Sequence, residues 1–459
     1  MNAIIFSAVF GVLLMFSSFL FQNKSTQRNI AIVAIVLLLL ANFAEQFGIW
    51  RIQVNNHGML HFSSFGLLFN SIAIGITGLY FLLSGKDIEA IDSGSPADYY
   101  ALIFFILCGV AVSSAYNSLL MLFIGIEIIS IPLYILTGSD KRNLKSNEAA
   151  LKYFLMGSFS TGIMLMGITL IYGAKATFNI DQITEMVHPG REAWFNAGLL
   201  LLLISLAFKV SAAPFHFWTP DVYDGAPTVF TSFMATIVKA AVFIAFIRLY
   251  ATVFSASKYD WRLILSIIVA ATLFIGNITA IFQQSVKRML AYSSIAQAGF
   301  MLFALYAYNG ISKEGLILYT FGYSVATVGI FAVLGRMKDY TFEGFNGLAR
   351  TQPVLAATTS IFLLSLAGIP LTIGFFSKYY MLAAAVKNGG HLWLVFFAIL
   401  CAVVSVYYYF RVIQSMYFKT GDPDTPFVTP LFKWTLVAMA AIVILLGLFP
   451  NLLLQYLYF

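Results

Sequence analysis

Residues 206–220 read LAFKVSAAPFHFWTP and extend an apolar run, GLLLLLISLAF, at 198–208. Such a run is typical of a membrane span, yet Lys209, Pro214 and His216 follow it almost at once. Proline removes a backbone hydrogen bond and interrupts a helix. A charged side chain at bilayer depth is costly, so it usually faces the protein interior. The stretch therefore predicts a membrane helix that is broken beside a buried lysine.

The composition of the chain indicates a membrane protein. Of its 459 residues, 60% are hydrophobic and only 10% are charged, against about 25% in an average soluble domain. Cys108 and Cys401 lie in apolar runs and the five histidines are scattered, so neither a disulfide framework nor a metal site is indicated. The sequence also contains no nucleotide motif and no glycine-rich phosphate loop. These features predict a polytopic protein that acts within the bilayer.

The apolar segments predict an all-α protein with about fourteen transmembrane helices, since each crossing needs about 20 apolar residues. The first segment lacks the basic start of a signal peptide and is interpreted as the first span. The predicted spans begin near Asn2, Asn29, Met59, Asp98, Leu119, Glu148, Phe195, Thr228, Trp261, Lys287, Lys313, Val354, His391 and Val428. Lysine and arginine are more frequent in alternate loops, which predicts that both termini face the outside of the membrane.

A second interrupted span, SLAGIPLTIGFFSKYY at 365–380, repeats the first pattern with Pro370 and Lys378. Paired broken helices in two halves of a chain are typical of transporter cores built from inverted repeats. A simple kink for packing is the alternative for either proline alone. The positions of the helix-breaking prolines and the hydropathy predict an N-terminal three-helix segment, two five-helix repeats in opposite orientation, and a last helix. The broken helices would be helices 7 and 12. The corresponding boundaries are 1–97, 98–253, 254–418 and 419–459.

Charged residues within the spans are the candidates for function. Glu127 and Lys239 lie in the middle of apolar segments, and Lys209 and Lys378 lie beside the breaks. Burial disfavours the charged form of an amine, and a nearby carboxylate favours it. A series of such buried groups across the membrane could therefore bind, pass on and release protons. A static ion pair would explain one pair, and snorkelling to the headgroups would explain Lys152. These alternatives remain open from the residues alone.

Three segments resemble one family closely. They are FKVSAAPFHFWTPDVYDGAPTVFTSFMATIVKAA at 208–241, VKRMLAYSSIAQAGFM at 286–301 and GIPLTIGFFSKYYM at 368–381. Together they resemble the antiporter-like, proton-translocating membrane subunits of respiratory complex I (NADH-quinone oxidoreductase), with PFHFWTPDVYDGAP most similar to chain N. The resemblance extends over nearly the whole chain. It implies fourteen helices, two inverted repeats, and proton pumping driven by electron transfer from NADH to quinone elsewhere in the complex.

The resemblance also implies roles for individual residues. Glu127 matches a glutamate that pairs with the lysine of helix 7, here Lys209. Lys239 matches the central lysine of helix 8, and Lys378 matches the lysine of helix 12 that faces the exit.

Two further residues, Lys152 and His216, match polar groups that connect these sites in the family. The sequence departs from the family at Gln297, where many relatives carry histidine. Glutamine does not titrate, so a proton path through a protonatable group at this position is in doubt.

The resemblance implies no cofactor in this chain, with NADH, FMN, iron–sulfur clusters and quinone in other subunits. The expected partners are membrane subunits resembling chains M and K, internal water, protons and lipid, with no nucleic acid, in a bacterial inner membrane. With both termini predicted outside, they would lie on the periplasmic side. The alternatives are a subunit of a multisubunit cation/proton antiporter or membrane-bound hydrogenase, and a scaffold whose buried charges are frozen pairs.

Overall fold

The structure, a computed structural model, describes residues 1–91, 95–185, 190–389, 391–425 and 428–457. In this part of the chain, thirteen helices are long and apolar enough to cross a membrane. Two shorter helices, Pro353–Ala367 and Ile373–Lys387, together form one more crossing, which is broken in the middle. The prediction of an all-α membrane protein with about fourteen spans is confirmed.

The first nine helices lead to the centre of the bundle. They are α1 (Asn2–Leu20), α2 (Lys24–Gln46), α3 (Ser64–Glu89), α4 (Pro96–Ala115), α5 (Leu119–Thr137), α6 (Leu144–Lys175), α7 (Glu192–Lys209), α8 (Trp218–Gly225) and α9 (Thr228–Ala256). Helices α7 and α8 are the two halves of one broken span.

Seven more helices complete the bundle. They are α10 (Arg262–Ile281), α11 (Val286–Met301), α12 (Gly310–Leu334), α13 (Pro353–Ala367), α14 (Ile373–Lys387), α15 (Leu392–Phe418) and α16 (Pro430–Leu448). Short helical segments lie at Ile180–Glu185, Phe303–Tyr306, Glu343–Phe345, Leu348–Thr351, Asn451–Leu454 and Gln455–Leu457.

The predicted starts of the spans are displaced most at α2 and α3. Helix α2 begins at Lys24 rather than Asn29, because the Asn23 side chain accepts a hydrogen bond from Ser25 N and starts the helix in a polar turn. Helix α3 begins at Ser64 rather than Met59, and the Ser63 hydroxyl accepts from Gly66 N. Both displacements reflect N-caps, which hydropathy does not register.

The two halves of the bundle are built alike. In each, a broken span is the fourth of five: α7 and α8 among the spans from α4 to α9, and α13 and α14 among those from α10 to α15. The first two spans of each five pack closely at a glycine. A Cβ on Gly109 would lie 2.8 Å from the Gly125 carbonyl oxygen, and a Cβ on Gly276 would lie 2.5 Å from Ala296 N. Such close approach is typical of membrane helix interfaces.

The core of the bundle is formed by α9, α11 and α12. The apolar segment of α9 is completely buried, and those of α11 and α12 are almost so. The outer helices α1 and α2 each expose several large apolar side chains, as expected for lipid-facing surfaces. Lys239 therefore belongs to the most buried span of the molecule.

Candidate proton-transfer site

The first break leaves residues 210–217 outside regular helix, between α7 and α8. Backbone groups freed in a membrane must be satisfied by protein or water. Here the Trp218 indole donates to the Phe208 carbonyl at 3.0 Å, and Ala213 N donates to the Thr272 hydroxyl at 2.9 Å. The Thr272 contact ties the break to α10, in the second half of the bundle. The prediction of a broken helix at Pro214 is confirmed.

Lys209 ends α7 and contacts hydroxyl groups rather than a carboxylate. Its Nζ donates to Ser130 Oγ at 2.9 Å and lies 3.5 Å from Thr161 Oγ1. The same Thr161 hydroxyl lies 2.8 Å from Glu127 Oε1. Among the ion pairs of the described residues, none joins Glu127 directly to Lys209. The pair expected from the sequence is therefore bridged by Thr161.

Lys239 lies at the end of a π-helical turn, Met234–Val238, in the middle of α9. Turns of this kind are frequent at functional sites. The side chain is only 2% exposed, and its Nζ donates to the Ser294 carbonyl at 3.0 Å and to the Ser294 hydroxyl at 3.1 Å. The amine also lies 5.9 Å from the centre of the Tyr223 ring. Its hydrogen bonds connect α9 to α11.

The second break separates α13 from α14 and surrounds Lys378. Its Nζ donates to the carbonyl oxygens of Leu366 at 2.8 Å and Ala367 at 2.9 Å, which end α13. A positive charge is favourable at a helix C-terminus, where carbonyls are unpaired. Gly368 follows with φ +85°, and a Cβ there would lie 2.9 Å from Lys378 Cδ. The glycine therefore leaves room both for the sharp turn and for the lysine.

Gln297 links the second break to α12 and α15. Its Nε2 donates to the Leu366 carbonyl and to the Tyr409 hydroxyl, both at 3.0 Å, and its Oε1 accepts from the Tyr319 hydroxyl. The Tyr409 hydroxyl also lies 2.5 Å from Ser293 Oγ. Gln297 thus occupies the centre of a buried polar cluster that extends to Ser293, and the next residue, Ser294, accepts from Lys239.

The two remaining predicted residues lie apart from these clusters. His216 is buried within the first break and stacks on Phe217, and its Nδ1 has no hydrogen-bond partner among the described residues. Lys152 is 42% exposed and pairs with Glu148 at 2.7 Å and with Asp221 at 3.1 Å. The structure therefore places Lys152 in an ion-pair network that includes Asp221 of α8, and no hydrogen bond among the described residues joins His216 to Lys209.

One buried lysine, Lys287, is only the predicted start of a span in the sequence. It is 3% exposed, and its Nζ donates to the carbonyls of Asp224 at 2.8 Å and Ala226 at 2.7 Å, at the end of α8. The next residue, Arg288, pairs with Asp221 of α8 at 3.1 Å. The first turn of α11 therefore holds α8 through two cations. In the sequence, only the adjacent basic residues Lys287 and Arg288 at the start of a span pointed to this arrangement.

A polar cavity of about 520 Å³ lies where α3 and α12 end and α9 begins. Asp87, Asp224, Ser232, Lys287 and Tyr340 are among the residues that line it. We call this cavity the vestibule.

Several buried hydroxyl groups have no partner at hydrogen-bond geometry in the part of the chain that the structure describes, and they lie on the three helices that meet beneath the vestibule, α3, α9 and α12. They are Tyr80, Ser232, Thr320, Tyr323, Ser324 and Thr327. The four on α12 recur at helical spacing and share one face. We call these six residues the hydroxyl row.

Comparison with known proteins identifies the family. Residues 116–405 match the family model described as NADH:quinone oxidoreductase/Mrp antiporter, TM. The chain is 41% identical to NADH-quinone oxidoreductase subunit N of Cytophaga hutchinsonii, with 99% of each chain covered. It is 35% identical to subunit N of Flavobacterium psychrophilum, with 99% of this chain and 100% of the relative covered. The chain belongs to this family of N subunits.

Solved structures with the same fold agree with the family. A chain of respiratory complex I from Thermus thermophilus with bound aureothin is 30% identical, with a TM-score of 0.83 and coverage of 99% of this chain and 98% of that one. A chain of the archaeal membrane-bound sulfane sulfur reductase has a TM-score of 0.88 at 24% identity, covering 100% of this chain and 96% of that one. This second likeness concerns the fold alone.

As a member of the N-subunit family, the chain is an antiporter-like, proton-translocating membrane subunit of NADH-quinone oxidoreductase, respiratory complex I. The predicted family, fold class and function are confirmed. It is a multi-pass membrane protein, and its structural relatives are chains of multisubunit membrane complexes.

Proposed function

We propose that this subunit moves protons along a path that leads from the vestibule to Lys239, and from there through the Gln297 cluster to Lys378. Lys209 and Glu127 act as a switch beside this path. A buried lysine suits such a role because burial favours its neutral form while hydrogen bonds favour its charged form. The four residues thus keep the roles that the sequence suggested, and both Lys239 and Lys378 contact polar groups that lead to α11.

The contact that carries the proposal is the carbonyl oxygen of Leu366, which accepts from both Lys378 and Gln297. From Gln297 the contacts continue to Tyr409 and Ser293, and the neighbouring Ser294 holds Lys239. A polar series thus runs through an otherwise apolar core, from the central lysine to the second break. Buried polar groups are costly unless they are paired, so such a series is expected mainly where function requires it.

Access to Lys239 is proposed to run through the hydroxyl row. Buried polar atoms are nearly always hydrogen-bonded to protein or ordered water. Since none of the six hydroxyls of the row has a partner at hydrogen-bond geometry among the described residues, water molecules would satisfy them. Ser232 both belongs to the row and lines the vestibule, two turns before Lys239 on the same helix. Water in the row would therefore extend from the vestibule to the central lysine.

Gln297 is proposed to orient this path rather than to carry a proton itself. Its amide donates to Leu366 and Tyr409 and accepts from Tyr319, so all three partners are fixed in place. Hydroxyl groups and water can pass a proton by exchanging donor and acceptor roles, whereas an amide does not titrate. The histidine common among relatives is then not required for a proton path past this position.

The Glu127 switch is proposed to depend on Thr161. The hydroxyl bridge separates the carboxylate from the Lys209 amine, so a small movement of α5, α6 or α7 would close or open a direct ion pair. A direct pair favours a charged lysine, and separation favours its release of a proton. The neighbouring break after Lys209 supplies a segment of backbone that lies outside regular helix. We propose that His216 and Lys152 also contribute to this switch. His216 would act through the break in which it lies, and Lys152 through the ion-pair network of α8.

The surface around Glu127 is proposed to contact another membrane subunit. Glu127 is partly exposed on α5, between the exposed apolar side chains of Ile124 and Ile131. A carboxylate facing lipid would be costly, so a protein partner is the expected neighbour. We propose membrane subunits resembling chains M and K of complex I as partners, in a bacterial inner membrane with both termini on the periplasmic side. NADH, FMN, iron–sulfur clusters and quinone are proposed to bind to other subunits.

The test of the proposed function is proton pumping by the purified complex in sealed vesicles. We expect Lys239→Met, Lys209→Ala and Glu127→Ala to lower quinone-linked pumping by about a hundredfold, the scale of losing an acid–base group. The amount of assembled complex should persist. Lys419→Gln changes an exposed lysine outside the path and is the matched control. Normal pumping in a well-assembled Lys239→Met complex would contradict the proposal.

A further inference from the structure

Another cavity, of about 270 Å³, forms a groove between three helices of the bundle. It lies where α2 and α16 begin and α3 ends, and α3 contacts both other helices. Its walls include the apolar side chains of Ile32, Leu82 and Leu431, of which Leu82 and Leu431 are exposed to the surroundings. We call this cavity the α2–α16 groove.

Three cations, Arg28, Lys86 and Arg336, line the groove. Arg28 Nη1 pairs with Glu89 Oε1 at 2.9 Å, and Arg336 Nη1 pairs with Asp87 Oδ1 at 2.8 Å. A guanidinium carries five N–H donors, so a single carboxylate leaves some of these donors unused.

Lys86 is exposed and makes no ion pair or side-chain hydrogen bond with any described residue. The three cations therefore outnumber the two carboxylates that neutralise them. The groove has an excess of positive charge and unused donors.

The positions of both arginines are fixed by packing. A Cβ on Gly85 would lie 2.5 Å from Arg28 Cδ, so the glycine makes room for the Arg28 stem on the surface of α3. Arg336 lies 5.0 Å over the ring of Phe432, at the start of α16. These contacts fix the two arginine side chains and leave the apolar walls of the groove at Leu82 and Leu431 exposed.

We propose that the α2–α16 groove binds an anionic phospholipid. The phosphate would lie between Arg28, Lys86 and Arg336, and an acyl chain would follow Ile32, Leu82 and Leu431. Arginine suits phosphate because its planar donors match the phosphate oxygens in pairs. Basic pockets between membrane helices bind lipid headgroups of this type. Free phosphate would use the cations but not the apolar walls, and a zwitterionic lipid would not neutralise the excess charge.

The experiment uses the purified complex that contains this chain and a phosphatidylglycerol with a photoactivatable acyl chain. After illumination, peptide mass spectrometry locates the adducts. We expect adducts on α2 and α16, with competition by unlabelled phosphatidylglycerol and cardiolipin. Competition by inorganic phosphate, or equal labelling by a phosphatidylcholine probe, would overturn the proposal.

The variant Lys86→Glu reverses one charge without unpairing a carboxylate. Because a basic residue near a membrane contributes about 1 kcal/mol to anionic lipid binding, adducts should fall by at least about fivefold. Lys419→Gln, an exposed lysine outside the groove, should label like the unchanged chain. Unchanged labelling in Lys86→Glu would also overturn the proposal. The readout does not involve pumping, so its result is independent of the proton path.

Discussion

Gln297 and Lys378 donate hydrogen bonds to one and the same oxygen, the carbonyl of Leu366, at 3.0 and 2.8 Å. The carbonyl belongs to the last turn of α13, where the break leaves it without a helical donor. A glutamine from α11 and a lysine from α14 thus share a group that exists only because the span is interrupted. The break serves the site directly, since an unbroken helix would have paired this oxygen internally.

The shared oxygen predicts a difference between two substitutions of Gln297. Gln297→Leu removes the donor to Leu366 and Tyr409 and the acceptor for Tyr319, and each buried polar group left unpaired costs about 1–3 kcal/mol. We expect lower thermal stability of the complex and a loss of pumping of about tenfold or more. Gln297→His, which keeps a donor and an acceptor, should retain most of the pumping. Equal pumping by Gln297→Leu and the unchanged complex would refute the role of the amide.

Thr161 offers a test of the bridged pair. Thr161→Val keeps the shape of the side chain but removes the hydroxyl that lies 2.8 Å from Glu127. Glu127 and Lys209 then lose a shared partner, and we expect the rate of pumping to fall by about tenfold or more. Thr161→Ser keeps the hydroxyl and is the matched control. The measurement is the initial rate of proton uptake by vesicles after addition of NADH. If the valine and serine variants pump alike, the hydroxyl bridge has no part in the switch.

Much of this site was predictable from the sequence, because its key residues break a strong pattern. Lysines and prolines stand out in apolar spans, so Lys209, Lys378 and the two broken helices were identified without a structure. The partners of these residues were not. Ser130, Thr161 and Tyr409 are unremarkable in a span, and their importance depends on which helices pack together. The Leu366 acceptor is a backbone atom, which no pattern of side chains reveals.

Lys287 was missed for a different reason. It stands with Arg288 at the start of a span, where basic residues usually mark the membrane surface. Its burial arises because the short helix α8 ends against it, and the end of α8 follows from the break upstream. Lys152 is partly exposed and lies in an ion-pair network, which agrees with the alternative of a lysine that reaches the membrane surface.

The hydroxyl row predicts the effect of Thr327→Val. This substitution removes one buried hydroxyl beneath the vestibule and leaves the volume nearly unchanged. Since water in the row would lose a partner, we expect slower pumping, by about tenfold, with normal assembly. Thr359→Val removes a similarly buried and unpartnered hydroxyl from α13, outside the row, and should leave pumping unchanged. Comparable effects of the two variants would show that position within the row is irrelevant.

The last prediction concerns the contact of α11 with α8. Lys287 donates to the carbonyls of Asp224 and Ala226, and Lys287→Met would leave both without this donor. Each lost hydrogen bond to a charged group contributes about 1.5–3 kcal/mol, so α8 should open more often. Amide hydrogen exchange over 218–225 in the purified complex measures this opening directly.

We expect exchange in α8 of the Lys287→Met complex to be at least about tenfold faster, with weaker pumping. Lys419→Gln removes an exposed lysine outside the vestibule and should change neither quantity. Faster exchange with normal pumping would show that α11 holds α8 only for stability. Unchanged exchange would show that the two carbonyl contacts do not restrain α8. Because Ser294 on the same helix α11 binds Lys239, faster exchange together with weaker pumping would connect the first break to the central lysine through one helix.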